Sequence, residues 1–254
     1  MSPLDHGSAV ATETARFVAA VRDADPALPV PACPGWTLAD LVRHAGSVQR
    51  WFTALLRQRI QEPPRSRDVD LKLPEQTADY PAWLAEAAAE SAATFAAGDL
   101  DAPMWAWGAD QHARFWVRRM LFETLVHRVD AETALGLPAE IDPELAADGV
   151  AEFLTNLPFA ALFAPDTAKL RGADRTLRFT RTDGPGDWLV RLRPDGFGLD
   201  ETAGAAEVTA DATVRATAAE LLLVLYGRLD RTAPGVELAG DAELLDHWFA
   251  HSAF

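Results

Sequence analysis

The sequence predicts two domains of different class: a four-helix bundle over residues 1–137 and a smaller α+β domain over residues 138–254. The first half is rich in alanine, and its apolar residues recur with helical period. The second half carries short β-rich runs on either side of a turn-forming cluster. The pattern changes after Leu137-Pro138, and strands that follow an all-helical segment are typical of a separate α+β unit.

The composition is that of a folded protein with a strongly negative charge. Of the 254 residues, 49% are apolar and 24% are charged, which allows a substantial core. The net charge of -15 repels phosphate backbones and anionic lipids, so we expect neither nucleic acid nor a membrane as partner. The only cysteine, Cys33, cannot form an intrachain disulfide. No run has the pattern of a signal peptide or a membrane span, and we expect a cytoplasmic location.

The first two helices are predicted from apolar stripes and capping residues. Ser8–Arg22 carries the first stripe, and four prolines follow before the second helix. That helix should begin at Leu38, because Thr37 and Asp40 have the spacing of a capping box. His44 lies on its apolar stripe and is expected to be buried there. The other members of the stripe are Leu41, Val48, Trp51 and Leu55.

Two further helices complete the predicted bundle. After a charged, proline-containing connection, Tyr80–Ala97 forms the third helix, whose alanines permit close packing. The loop after it holds Trp105 and Trp107, two large rings that are costly to expose and are expected to line a pocket. Arg114–Leu135 forms the fourth helix, and Gly136 is predicted to end it.

The fourth helix carries a pair of possible metal ligands. Glu123 and His127 stand four residues apart, so they project from one face of the helix. A carboxylate and an imidazole suit a divalent ion such as zinc, and His44 on the second helix is the natural third ligand. The alternative is that both histidines are hydrogen-bonded core residues and that Glu123 pairs with Arg119. Because a buried carboxylate needs a cation of some kind, either arrangement satisfies the chemistry.

The second half alternates helices and strands. Asp183 to Asp187 is a turn-forming cluster between two β-rich runs, which predicts a hairpin. Thr217 and Glu220 have the spacing of another capping box. The predicted elements are a helix Pro143–Asn156, strands Leu177–Thr182, Trp188–Leu192 and Asp211–Thr217, a helix from Ala218 to about Leu229, a strand Val236–Leu238 and a helix Ala242–Phe249.

Four segments resemble the actinobacterial family that includes mycothiol-dependent maleylpyruvate isomerase. That family joins a DinB/YfiT-like metal-binding bundle to a sterol-carrier-like domain. The resemblance extends over nearly the whole chain. The segments that carry it are Pro34 to His44, Glu123 to Glu132, Glu220 to Arg228, and Gly240-Asp241.

The resemblance implies a metal held by His44, Glu123 and His127, with a position left for water or substrate. It also implies mycothiol, a low-molecular-weight thiol, which adds to a double bond that then rotates before the thiol is eliminated. Metal coordination lowers the pKa of a thiol and so supplies the nucleophile. Many proteins share these ligand types without sharing a reaction, so the resemblance does not fix the substrate.

Three other residues near these motifs have competing interpretations. Arg228 either caps the carbonyl end of its helix or reaches the bundle to bind a substrate carboxylate. Cys33, in a turn with no clear local base, is interpreted as a packing residue rather than a nucleophile. Asp130 faces inward and is a candidate to orient a ligand histidine.

Two functional hypotheses follow from the sequence. The first is a metal-dependent enzyme that uses a thiol cofactor, either an isomerase of a maleylpyruvate-like dicarboxylate or an S-transferase acting on an electrophile. It predicts an open site between the two domains, where Arg228 acts on substrate and Trp105 and Trp107 contact the cofactor. The second is a non-enzymatic binding or regulatory module of the same fold, with a structural ion or none.

Overall fold

The structure is a computed structural model that describes residues 4–64, 69–202 and 207–253. The chain divides into two compact units, Met1–Glu140 and Ile141–Phe254. The first unit is helical and the second is α+β, as the sequence predicts. No helix among the described residues is both long and apolar enough to cross a membrane.

The first unit is a four-helix bundle. The four helices are α1 His6–Val21, α2 Leu38–Gln58, α3 Tyr80–Ala97 and α4 Ala113–Ala134, and a 3₁₀ turn at Thr77–Asp79 precedes α3. Helices α1 and α2 each pack against both α3 and α4. Each predicted helix is confirmed, and the ends of α1 and α4 differ from the predicted ones by no more than two residues. Part of the connection predicted between α2 and α3, residues 65–68, lies outside the described residues.

Capping residues set the ends of the two helices that carry the predicted ligands. The Thr37 side chain accepts from the Asp40 backbone N–H, and the Asp40 carboxylate accepts from the Thr37 backbone, so the predicted capping box starts α2. Helix α4 ends at Ala134, and Gly136 just beyond it adopts the left-handed conformation with φ +67°. The Gly136 and Leu137 backbone N–H groups return to the carbonyls of Thr133 and Glu132, which is the Schellman arrangement.

The close approach of α2 and α3 depends on a glycine. A Cβ atom added to Gly46 would lie 2.2 Å from the ring of Trp83. That ring is 2% exposed, and its Nε1 donates to the Leu71 carbonyl at 2.8 Å. The indole therefore lies in direct contact with the α2 backbone, so α2 and α3 pack closely at this position.

The second unit is a five-stranded sheet with three helices. Its described elements are α5 Pro143–Asn156, β1 Arg175–Arg181, β2 Asp187–Arg193, β3 Gly196–Leu199, β4 Ala212–Ala216, α6 Ala218–Leu225, β5 Glu237–Gly240 and α7 Ala242–His251, with 3₁₀ turns at Leu157–Leu162 and Pro165–Lys169. The strand order is β3-β2-β1-β4-β5, in which β1 and β4 are parallel and every other pair is antiparallel. The predicted hairpin is confirmed as β1 paired with β2.

The structure corrects the predicted end of α6. The helix was expected to continue to about Leu229, but it stops at Leu225. Gly227 adopts φ +70°, and the Gly227 and Arg228 backbone N–H groups return to the carbonyls of Val224 and Leu223. A Schellman motif therefore ends the helix inside the apolar run. Strand β3 was not predicted at all.

Candidate metal centre

His44, Glu123 and His127 come together inside the first unit. The His44 Nε2 atom lies 3.0 Å from Glu123 Oε1, and His127 Nε2 lies 3.3 Å from the same oxygen. One ligand atom from each residue falls within 4.8 Å of the others. Helix α2 supplies one ligand, and one face of α4 supplies the other two. Two imidazole nitrogens and a carboxylate oxygen directed at one point form a donor set that suits zinc.

The three side chains differ in their exposure to solvent. The side chain of His44 is 34% exposed, that of Glu123 is 23% exposed and that of His127 is 11% exposed. His44 is thus less buried than its place on the apolar stripe predicts, because it lies at the edge of the helix interface. The cluster is therefore partly accessible to solvent, mainly through His44 and Glu123.

Asp130 lies directly behind His127. The His127 Nδ1 atom is 2.9 Å from Asp130 Oδ2, and the Asp130 residue is 1% exposed. A carboxylate on one ring nitrogen fixes the ring and leaves the other nitrogen for a metal. The contact predicted for Asp130 is present, and it orients His127 Nε2 toward Glu123.

Arg119 contacts the other oxygen of the Glu123 carboxylate. The guanidinium Nη2 lies 3.5 Å from Glu123 Oε2, one helical turn away, and the Arg119 side chain is 3% exposed. The arginine pair weighed in the sequence is therefore present, but at a long distance. It leaves Oε1 directed at the two histidine nitrogens, so the arginine contact and the three-ligand cluster coexist.

The charges of the cluster shift the pKa values of its members. Burial by itself raises the pKa of the Glu123 carboxyl, but hydrogen bonds from His127 and His44 outweigh it and hold that pKa well below its usual range. Burial by itself lowers the pKa of His127, but Asp130, Cys33 and Glu123 together raise that pKa well above its usual range. Without an ion, His127 therefore holds its proton more tightly than an ordinary histidine does, and an ion that binds His127 must displace that proton.

The turn before α2 adds two contacts that the sequence did not predict. The Trp36 ring centroid lies 5.0 Å from that of His44 and 6.2 Å from that of His127. The Cys33 thiol donates to Asp130 Oδ2 at 3.5 Å. The signal available in the sequence was the place of Trp36 in the Pro34-Gly35-Trp36 turn just before a ligand helix.

The remaining predicted site residues lie apart in sequence from the cluster. The rings of Trp105 and Trp107 are half-buried and pack against Trp116 and Phe115 respectively, at the start of α4. Arg228 belongs to the second unit, where its guanidinium donates to the Tyr226 carbonyl at 2.8 Å. That contact corresponds to the interpretation of Arg228 as a cap of its helix. It stays a prediction that Trp105 and Trp107 contact a cofactor and that Arg228 contacts substrate.

The fold and the cluster define a class of protein: a helical bundle with a possible metal-ligand site, followed by an α+β domain. Family models agree with that class. Residues 8–132 match the mycothiol maleylpyruvate isomerase N-terminal domain, and residues 144–247 match the C-terminal domain of the same family. The chain belongs to the mycothiol-dependent maleylpyruvate isomerase family.

Solved structures show the same fold. The chain is similar to the crystal structure of mycothiol-dependent maleylpyruvate isomerase, with a TM-score of 0.63, 14% identity, and coverage of 94% of this chain and 93% of that one. A histidine-to-alanine mutant of that enzyme gives a TM-score of 0.64 at the same identity and coverage. No curated protein is similar enough in sequence to count as a match. At this identity the structural likeness establishes the fold and leaves the reaction open.

Proposed function

We propose that this protein is a zinc-dependent enzyme that uses mycothiol or a related low-molecular-weight thiol. Its reaction is either the cis-trans isomerisation of a maleylpyruvate-like dicarboxylate or the transfer of the thiol to an electrophile. The observation that carries the proposal is that His44 Nε2 and His127 Nε2 lie 3.0 and 3.3 Å from the same oxygen, Glu123 Oε1. Family membership supports the choice of thiol and of substrate class.

The residues of the cluster suit an ion that keeps a free position. The protein offers three ligands, two of them partly exposed, which is the pattern of catalytic rather than structural zinc sites. A divalent ion bound there lowers the pKa of a coordinated thiol and supplies a thiolate at neutral pH. Asp130 orients His127 through Nδ1, and Arg119 holds the second oxygen of Glu123.

The proposed isomerisation needs a nucleophile and a site for carboxylates. A bound thiol would supply a nucleophile that adds reversibly to the cis double bond and so would allow rotation before it is released. Arg228 is proposed to bind a substrate carboxylate bidentately, and Trp105 and Trp107 are proposed to contact the thiol. Because a thiol-dependent enzyme with one cysteine suits a reducing compartment, we place it in the cytoplasm.

A second candidate is a binding or regulatory module without catalysis. The contact between Arg119 and Glu123 favours it, because the carboxylate then has a protein cation even when no ion is bound. His127, whose raised pKa favours its charged form, can serve in the same way. The cluster can therefore be satisfied electrostatically without metal, and only a measurement of turnover separates the two candidates.

The test is a turnover assay on zinc-loaded protein. Mycothiol is supplied with maleylpyruvate in one arm and with a simple electrophile in the other, and product is followed for wild type, Glu123→Ala and His247→Ala. His247 is a matched control because it lies in the second unit and contacts the Lys169 carbonyl. We expect thiol-dependent turnover that Glu123→Ala abolishes and His247→Ala preserves. Zinc-loaded wild type that turns over neither substrate would support the binding module.

A further inference from the structure

The turn before α2 is closed by its own backbone hydrogen bonds. The Val30 backbone N–H donates to the Trp36 carbonyl, and the Trp36 N–H donates to the Cys33 carbonyl, both at 3.0 Å. Pro29 and Thr37 form an isolated β-bridge at its base, and Gly35 takes φ +83° within it. The side chains of Cys33 and Trp36 therefore project from a closed turn.

Both side chains from this turn contact the candidate metal centre. Trp36 lies against the rings of His44 and His127. Cys33 is partly buried, and its Sγ lies 3.5 Å from the same Asp130 oxygen that contacts His127 Nδ1. One carboxylate oxygen thus accepts from a thiol and from a ligand histidine at once.

We infer that Cys33 is a positioning residue of the metal centre. Its thiol donates to Asp130 Oδ2 and holds that carboxylate against His127 Nδ1, so that His127 Nε2 stays directed at Glu123. The inference rests on the proposed function, because it takes His127 as a ligand. It gives the only cysteine a role that is neither that of a nucleophile nor that of a ligand. A second contact to the carboxylate restricts its rotation, and groups behind a ligand histidine govern metal affinity.

The same atoms suggest a competing assignment that the test must exclude. One donor atom each from Cys33, His127 and Asp130 also lies within 4.8 Å of the others, so these residues could themselves hold an ion. That arrangement would take Nδ1 of His127 as the ligand atom and would make the cysteine a thiolate ligand. The positioning role keeps Nε2 as the ligand atom and the cysteine protonated.

The first test compares substitutions of Cys33 that keep or remove the hydrogen-bond donor. Zinc dissociation constants are measured for wild type, Cys33→Ser, Cys33→Ala and Cys33→Val. Serine keeps a donor, whereas alanine and valine lack one and differ from each other in volume. We expect serine to bind within about twofold of wild type, and both apolar variants to bind about fivefold more weakly. If serine binds as weakly as alanine, the donor role is wrong.

A double-mutant cycle separates positioning from general packing. In an Asp130→Ala background, Cys33→Ala should not weaken zinc binding further, because the carboxylate through which it acts is gone. A further loss equal to that in wild type would overturn the inference. Cobalt-loaded wild type should lack a sulfur-to-cobalt charge-transfer band, since Cys33 is not a ligand. That band, lost in Cys33→Ser, would show the competing site.

Two measurements distinguish a failure of the Cys33 contact from a failure of the proposed function. Zinc binding by wild type is measured first and concerns the metal centre alone. The cycle between Cys33 and Asp130 is then repeated on the urea unfolding midpoint of the metal-free protein. We expect the two substitutions to be non-additive there, and additive effects would contradict the hydrogen bond even if the wild type binds zinc.

Discussion

His44 Nε2 and Glu123 Oε1 lie 3.0 Å apart although 79 residues separate them in the chain. The pair joins α2 to α4, and His127 adds a third donor to the same carboxylate oxygen. Because both histidines share one oxygen of Glu123, any cation that satisfies this oxygen also sets the spacing of the two helices. The proposed ion and the bundle should therefore be coupled energetically.

Zinc affinity should rise with pH over an unusually wide range. The pKa of His127 in the metal-free protein is well above 6.5. An ion must displace that proton, so affinity should rise by about tenfold per pH unit below the raised pKa. An ordinary histidine ligand would stop contributing above its usual pKa. Titrations at several pH values in a buffer that does not bind zinc measure the slope. An affinity that stops rising at pH 6.5 would contradict the raised pKa.

Gly46→Ala should destabilise the first unit. The added methyl would lie 2.2 Å from the buried Trp83 ring, which cannot move without breaking its hydrogen bond to Leu71. Overpacking of this kind costs about 1–3 kcal/mol, which exceeds the helix propensity gained by alanine of about 1 kcal/mol. Urea unfolding measures the net loss. Ser47→Ala, one residue along the same helix, serves as the control and should change stability by less than about 0.5 kcal/mol.

Arg128→Met should be strongly destabilising. The Arg128 side chain is fully buried and bonds the carboxylates of Glu13 and Glu132, with Nε 2.6 Å from Glu13 Oε2. Its removal takes away the buried cation that both carboxylates share and leaves Glu13 only its longer contact to Arg16, which costs about 3–5 kcal/mol. Unfolding by urea at neutral pH measures the loss. Arg16→Ala is the control, since Arg16 is 38% exposed and also contacts Glu13, and should cost less than about 1 kcal/mol.

The second unit should lose stability in acid through Asp200. Hydrogen bonds from Thr202 and Arg191 lower the pKa of Asp200 from 3.8 to about 2. A carboxyl whose pKa is lower in the folded protein contributes stability at pH values above its pKa in the unfolded chain. This contribution is lost as the pH falls through the pKa of the folded protein. The contribution should disappear between pH 3.8 and about 2. After allowance for solvent screening it amounts to about 1 kcal/mol.

Comparison with Asp200→Asn isolates this contribution. The asparagine variant cannot titrate, so the stability difference between wild type and variant should shrink as the pH falls below 3.8. Urea unfolding midpoints at a series of acidic pH values measure it. A difference that is independent of pH over this window would show that the carboxylate does not gain from its partners in the folded state.

Local sequence signals predicted most of the helices but not the whole sheet. The bounds of α3 and α5 are those predicted, because helix-forming composition and a clear end coincide there. Helix α6 ends early because Gly227 lies within an apolar run that looked continuous. Strand β3 has the sequence Gly-Phe-Gly-Leu, which carries no strand pattern of its own, and the parallel pairing of β1 with β4 depends on contacts distant in sequence.

The residues of the candidate site also differ in how far the sequence could predict their contacts. His44, Glu123 and His127 could be predicted because helical spacing fixes which face each occupies. The contacts of Cys33 and Trp36 could not be predicted, because their turn has no repeating hydrophobic pattern. The position of the turn depends on how it closes against the bundle. The contact of Asp130 with His127 could be suggested from the sequence, since both residues belong to one helix.

A zinc titration of metal-free protein tests the central claim most directly. Calorimetry should show one ion bound per chain by wild type. His44→Ala, Glu123→Ala and His127→Ala should each weaken binding by at least about 100-fold, because each removes a direct ligand. The His247→Ala control should bind as wild type does. Wild type that binds no zinc, or binding that all three alanine variants retain, would contradict the metal centre.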